Sequence, residues 1–259
     1  MQIQLLLQTI ILPLLLSFAV YKTVPQNTRY QAAGLFFAWL PACLWILNLP
    51  ALPPAEAVDW LWLAGLAFVA TQLLPVHVIN AHFFKTVQLG IFMFALLLIS
   101  WPVLQYELSP ALIAELLFLL LAAAVLIMFN RAIPAPALII SMSATALALC
   151  TALAGSLLVA QLAGALAAAP GIFALAELKH RLTSSRLQIS ALLPLALLYL
   201  LLLAIARLYA GMPIGPALLL LLAPLALRLK NPAATGMTFL VIVAAAIWIF
   251  ILQDSNSYY

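Results

Sequence analysis

Two charged residues lie inside long apolar stretches of the sequence. Glu115 follows Pro110 by five residues, and Arg207 precedes Tyr209 by two. A charge within a bilayer is costly and is normally paired or faces a cavity. Because both residues fall at a similar depth below the same face, an ion pair between them could act as an outward-facing substrate or proton site. Alternatively, each side chain snorkels separately to the nearby interface.

Uncharged polar and small residues concentrate in the middle of the chain. The stretch 136–153 carries several hydroxyls, including Ser141 and Thr145, and the next stretch carries small residues four apart followed by Pro170. Small residues at this spacing let helices approach closely, and a proline interrupts the backbone hydrogen bonds of a helix. We expect either a tightly packed central hairpin or a substrate path lined by Ser141 and Thr145, with Pro170 as a flex point.

The histidines all lie at predicted inner ends of helices and form, with one carboxylate, a predicted polar cluster at the cytoplasmic face. Its members are His77, His82, Glu177 and His180. A metal site needs ligands that converge from several elements, and no cysteine joins this group. We therefore predict no metal and no other cofactor, and interpret these histidines as interfacial. The alternative is that one of them acts as a base in an enzyme that modifies lipids.

The two cysteines, Cys43 and Cys150, fall in the outer parts of their predicted helices. We predict that both are free, buried thiols, because such cysteines pack as small apolar residues.

The composition excludes an ordinary soluble domain. The chain has 259 residues, of which 68% are hydrophobic and only 6% are charged, whereas soluble domains are about 25% charged. A membrane-spanning helix needs about 20 mostly apolar residues. The chain therefore has room for roughly eight to ten such helices, and we predict one all-α transmembrane domain over residues 1–259.

Apolar stretches and turn signals divide the chain into about ten predicted helices. Ser109 is a suitable N-cap before Pro110, and glycines at 155 and 211 indicate turns. Residues 137–176 carry no charge, so they form either two full spans or a re-entrant hairpin. The predicted helices cover residues 3–22, 31–48, 58–78, 86–105, 110–130, 136–153, 157–178, 189–209, 215–229 and 236–252.

Basic residues alternate along this pattern. Nine of the ten follow odd-numbered helices, and Arg207 is the exception; five of the six acids lie on or near the other side. Basic loops stay in the cytoplasm, so we predict a multi-pass protein of the cell inner membrane with both termini outside. The basic residues are scattered rather than clustered, which indicates contact with the lipid bilayer and no nucleic-acid partner.

Five helices in each half permit a 5+5 inverted arrangement, which is common in secondary transporters. The sequence therefore favours a small transporter or permease for a small metabolite or lipid. Scarce polar groups within the spans and short loops favour an alternative, a structural or assembly subunit with membrane-protein partners or as a homo-oligomer. The third hypothesis is the lipid-modifying intramembrane enzyme.

Overall fold

The computed structural model describes residues 2–25, 28–49, 53–74, 81–128, 135–179 and 189–225, and a few residues between 236 and 251. The described part is helical and contains no strand. Its elements are α1 (Gln2–Leu6), a π turn (Leu7–Ile11), α2 (Leu12–Thr23), α3 (Thr28–Ile46), a 3₁₀ turn (Ala57–Asp59), α4 (Trp60–Leu73), α5 (Ala81–Tyr106), α6 (Pro110–Met128), α7 (Pro136–Leu153), α8 (Leu157–Ala168), α9 (Gly171–Lys179), α10 (Ile189–Tyr209) and α11 (Ile214–Leu225). A further helical segment covers residues 239–245.

Five helical segments are long and apolar enough to cross a membrane, and α8 with α9 makes a sixth if this pair, bent by 48°, counts as one span. The fold is thus that of an all-helical, multi-pass membrane protein. Ten full spans and the 5+5 arrangement are not confirmed. In α3 the first turn is polar, and α11 and the Ala57–Leu73 segment are short. The five segments are Ile3–Thr23, His82–Tyr106, Pro110–Met128, Pro136–Leu153 and Ser190–Tyr209.

Several predicted boundaries are confirmed by the local structure. The Ser109 hydroxyl accepts a hydrogen bond of 3.2 Å from the backbone N–H of Leu112, so it caps α6 as its position before Pro110 predicted. The turns at Gly155 and Gly211 have φ values of 91° and 66°, a backbone conformation that glycine adopts without steric cost.

The core of the bundle is α10. Within its span, 89% of the residues are buried, and the helix contacts α3, α4, α5, α6, α7, α8 and α11. The corresponding share is 22% for the first span and 33% for α5 and α6. These seven helices therefore pack around α10, and the first span, α5 and α6 expose most of their own apolar surface.

The two ends of the bundle differ in charge. We call one the acidic end, where Glu56, Ser156 and Tyr209 line a common cavity. At the opposite, basic end, Lys85 of α5 donates a hydrogen bond of 3.0 Å to the carbonyl of Met128, the last residue of α6. A lysine at this position also interacts favourably with the partial negative charge of a helix C-terminus.

Close packing between α3 and its neighbours depends on small residues. Gly65 of α4 receives the ring of Phe36, and a Cβ on Gly34 would lie 2.8 Å from a methyl group of Val20. Trp39, which the sequence places in mid-helix rather than at an interface, is fully buried and its indole N–H donates a hydrogen bond of 3.4 Å to the Leu162 carbonyl. The first helical hairpin is thereby fixed against α4 and α8.

Candidate functional site

Glu115 and Arg207 form an ion pair between α6 and the central helix α10. The distance from Arg207 Nη2 to Glu115 Oε1 is 2.9 Å, and the side chains are 35% and 13% exposed, respectively. A second guanidinium nitrogen, Nη1, donates a hydrogen bond of 3.4 Å to the Met212 carbonyl in the turn after α10. The two side chains are therefore bound to each other rather than reaching the interface separately.

The guanidinium of Arg207 has a buried nitrogen that makes no hydrogen bond. Its Nε is buried and has no hydrogen-bond partner. A buried donor without an acceptor costs free energy comparable to a lost hydrogen bond. The pair can thus accept a further hydrogen-bonding group, and its role as a substrate or proton site stays a prediction.

The predicted flex point, Pro170, is buried at the break between α8 and α9, where the chain bends by 48°. Helix 157–178 was predicted as continuous, so its interruption after Ala168 is a correction to that interval. Proline lacks the N–H that would continue the helix, and its ring collides with the preceding turn. The break separates a buried, small-residue segment from the charged end of α9.

A second irregular segment lies beside this break. The π turn Leu7–Ile11 contacts α8, and a Cβ on Gly171 would lie 2.8 Å from Leu14 Cδ2. Leu14 follows Pro13, just as Gly171 follows Pro170. The π turn of the first span thus contacts the helix before the break, and α2 contacts the first residue after it.

Polar side chains accompany these irregular segments. Gln8 within the π turn is 7% exposed, and Ser17, one turn beyond Leu14, is fully buried. The Ser17 hydroxyl has no hydrogen-bond partner, which is costly in an apolar environment unless a ligand or water supplies one. Gln8 thus lies within the π turn, and Ser17 lies in the helix that follows it. We call Gln8, Ser17, the π turn and the α8–α9 break the discontinuity site.

The hydroxyls of α7 do not converge on the ion pair. Thr145 is exposed on the outer side of α7 and donates a hydrogen bond of 2.8 Å to the Ser141 carbonyl. The Ser141 hydroxyl itself is buried without a partner. No hydrogen bond joins Ser141, Thr145 or Pro170 to Glu115 or Arg207. Among the described residues, no direct hydrogen bond thus links the two groups, and the pathway through them stays a prediction.

Glu177 caps a helix at the basic end. Its carboxylate is 2% exposed and accepts hydrogen bonds from the backbone N–H groups of Ala137 (3.3 Å) and Leu138 (2.9 Å). Ala135, the residue at the N-cap position of α7, offers no side-chain acceptor. A negative charge at a helix N-terminus is favourable, so Glu177 joins α9 to α7.

Of the three other members of the predicted cytoplasmic-face cluster, one lies among the described residues. His82 is exposed at the start of α5, whereas His77 and His180 lie outside the described residues. Among the residues that the structure describes, no group of three His, Cys, Asp or Glu side chains could hold a metal ion. Cys43 and Cys150 are both free and buried, as predicted.

Two tyrosines of α10 satisfy backbone groups near prolines, and the sequence reasoning missed both. Tyr199 donates a hydrogen bond of 2.8 Å to the Leu220 carbonyl, and Tyr209 donates one of 2.6 Å to the Ile99 carbonyl. Leu220 lies four residues before Pro224, so the proline removes the usual donor to this carbonyl. For Tyr199 the signal was its position in mid-span, because a buried tyrosine hydroxyl requires a partner.

The chain matches no protein-family model, no curated protein and no solved structure in the comparisons made.

Proposed function

We propose that the chain is a small secondary transporter or permease of the cell inner membrane that moves a small metabolite or lipid. The observation that carries the proposal is the contact between the π turn of the first span and the bent α8–α9 pair. Non-helical backbone within a membrane is tolerated only where protein buries it or it lines a cavity. Secondary transporters place broken helices at their binding sites, and π turns are frequent at functional sites.

The side chains at the discontinuity site agree with such a role. Gln8 and the unpartnered Ser17 hydroxyl supply neutral hydrogen-bonding groups. The π turn before Pro13 and the break at Pro170 are points where a helix can change its bend with less loss of backbone hydrogen bonding than a regular α-helix. A hinge beside a polar site is what alternating access requires.

Cysteine accessibility tests this proposal without knowledge of the substrate. In a Cys43→Ala, Cys150→Ala background, we expect Ser17→Cys to react with a membrane-impermeant methanethiosulfonate from either side, in right-side-out and in inverted vesicles. Leu15→Cys is the matched control, because Leu15 is 63% exposed on the lipid-facing side of the same helix. It should react from neither side. Reaction of Ser17→Cys from one side alone, or from neither, would contradict alternating access at this site.

A lateral cleft favours the second candidate function, a subunit of a membrane complex. The cleft lies between α4 and α5, has a volume of about 500 Å³ and is lined by apolar residues that include Ala64, Ala67 and Gly90. Small residues permit the close approach of a helix from another protein. If this function is correct, Gly90→Trp should abolish co-purification of a fixed partner in mild detergent. Leu121→Trp, at an exposed position of α6, should leave that co-purification unchanged.

A further inference from the structure

A cavity at the acidic end has a composition that suits a particular class of ligand. Its volume is about 440 Å³, which falls in the range of small-molecule sites. Four segments contribute to the lining: the 3₁₀ turn Ala57–Asp59 and the helices α5, α8 and α10. The shape of this half-open cavity therefore depends on the packing of four separate segments rather than on one loop.

The walls of this cavity are mostly apolar. Val58, Pro102, Val159 and Ile205 contribute to them, and all but Pro102 are buried or nearly so in the protein core. Small-molecule sites typically combine such walls with a few well-placed polar groups. The body of a ligand bound here would therefore be apolar.

The polar groups that line the cavity are one carboxylate and two hydroxyls. Glu56 is exposed and, among the lining residues that the structure describes, it is the only acidic or basic one, beside the hydroxyls of Ser156 and Tyr209. Arg207, two residues from the lining residue Tyr209, is held by Glu115 on α6. Within the described part of the chain, the cavity thus presents a carboxylate with no basic residue in its lining.

The Glu56 carboxylate is fixed in position by a capping box. It accepts a hydrogen bond from the backbone of Asp59, while Asp59 Oδ2 accepts hydrogen bonds from the N–H groups of Ala55 (3.2 Å) and Glu56 (3.1 Å). A carboxylate has about four acceptor positions, so those of Glu56 are only partly used. Asp59 is 7% exposed and is occupied by its own backbone contacts, which leaves Glu56 as the group available to a ligand.

We propose that this cavity binds a small organic cation, with its ammonium group at the Glu56 carboxylate and its apolar body against Val159 and Ile205. A hydrogen bond between an ammonium group and a carboxylate is among the stronger polar contacts in proteins. The inference rests on the proposed function only for the movement of the ligand across the membrane; binding stands independently of it.

Calorimetric titration of the purified, detergent-solubilised full chain tests the binding. The probes are n-hexylammonium, 1-hexanol and hexanoate, which share an apolar body and differ in charge. We expect the ammonium to bind about tenfold more tightly than the alcohol, since a hydrogen bond to a charged group is stronger than one between neutral groups. Hexanoate should bind more weakly than the alcohol.

Two variants locate the effect. Glu56→Gln retains an oxygen for the capping box but loses the charge, so it should keep its thermal stability and lose the tenfold preference. Glu107→Gln, which removes an exposed acid outside the cavity lining, should keep that preference. Equal affinities for the three probes, or the same loss in both variants, would overturn the proposal.

Reconstitution separates this inference from the proposed function. If n-hexylammonium binds through Glu56 but does not enter proteoliposomes, and Ser17→Cys is closed to reagent, the binding site stands and the permease fails. If Ser17→Cys reacts from both sides but the three probes bind equally, the cation site fails and the permease stands.

Discussion

The hydroxyl of Tyr199 lies 2.8 Å from the carbonyl oxygen of Leu220, the backbone acceptor that Pro224 deprives of its helical donor. Tyr199 is fully buried in α10, and Leu220 belongs to α11. A side chain of the central helix thus replaces a backbone hydrogen bond lost in its neighbour, and it ties the two helices together where α11 is weakest.

Tyr199→Phe should lower the unfolding free energy by about 1 kcal/mol, because a buried carbonyl loses its donor. In a Pro224→Ala background the backbone N–H of residue 224 can return to that carbonyl, and the same substitution should cost markedly less. Thermal unfolding in detergent of the four proteins of this cycle measures the coupling. Tyr106→Phe, at a position 91% exposed, is the control; additive effects in the cycle would contradict the assignment.

The ion pair between Glu115 and Arg207 makes a different prediction. Because the pair is partly exposed, Glu115→Gln and Arg207→Gln should show a coupling of at most about 1 kcal/mol in a double-mutant cycle. A structural role would leave uptake per folded protein unchanged. A role in the proposed transport predicts that Glu115→Gln impairs uptake of n-hexylammonium by proteoliposomes even when the variant is correctly folded.

Glu177→Ala should destabilise the bundle by about 1–2 kcal/mol, because two N–H groups at the start of α7 lose their acceptor. Glu177→Gln should cost less, since its amide oxygen can still accept a hydrogen bond. Circular dichroism during heating measures both effects. Lys179→Ala, at an exposed position two residues away, should change the unfolding temperature little; a loss as large as that of Glu177→Ala would point to the charge of this end rather than to the cap.

The contact between Gly171 and Leu14 predicts that alanine substitutions at two glycines of this region change the stability of the protein in opposite directions. Gly171→Ala should destabilise the protein by about 1 kcal/mol, the low end of overpacking, because the end of the Leu14 side chain must shift, and Leu14→Ala should relieve part of that loss. Gly164→Ala is the matched change, because nothing lies within 4 Å of the added methyl group. It should be neutral or stabilising by up to about 1 kcal/mol through helix propensity. Equal effects at the two glycines would show that the packing against Leu14 is not critical.

The alternation of basic residues predicts the orientation of the bundle. Alkaline phosphatase fused after Glu107 or Gly155 should be active, because these positions are predicted outside, and a fusion after Lys179 should be inactive. Green fluorescent protein at the same positions should give the reverse pattern. Activity after Lys179 together with inactivity after Glu107 would invert the orientation and contradict cytoplasmic basic loops.

The sequence carried enough information to locate most helices of the fold. Pro136–Leu153 and Ile189–Tyr209 occupy the predicted intervals, and the cap at Ser109 and the glycine turns lie where expected. These features are local: they depend on apolar length, on a capping hydroxyl and on a positive φ. The prediction of a continuous helix through Pro170 was wrong because the pattern shows that a proline is present but not how far its helix bends.

Which helix would form the core could not be predicted. In a soluble protein a polar face distinguishes surface from interior, but lipid is as apolar as the core. The apolar sequence of α10 therefore resembles that of α6, although 89% of the α10 span is buried and only 33% of the α6 span. The hydrogen-bond partners of Tyr199 and Glu177 could not be predicted either. Each partner lies on another helix, and the spacing of residues in the sequence does not show which helices are in contact.

The burial of α10 has a consequence for biosynthesis. A ribosome releases the chain from its N-terminus, so α3 to α8, which all touch α10, leave it before α10 does. Those helices cannot close around their final centre while it is still being made. The helices made first can therefore reach their final packing only after residues 189–209 have entered the membrane. A chain that ends before residue 189 lacks the helix around which they pack.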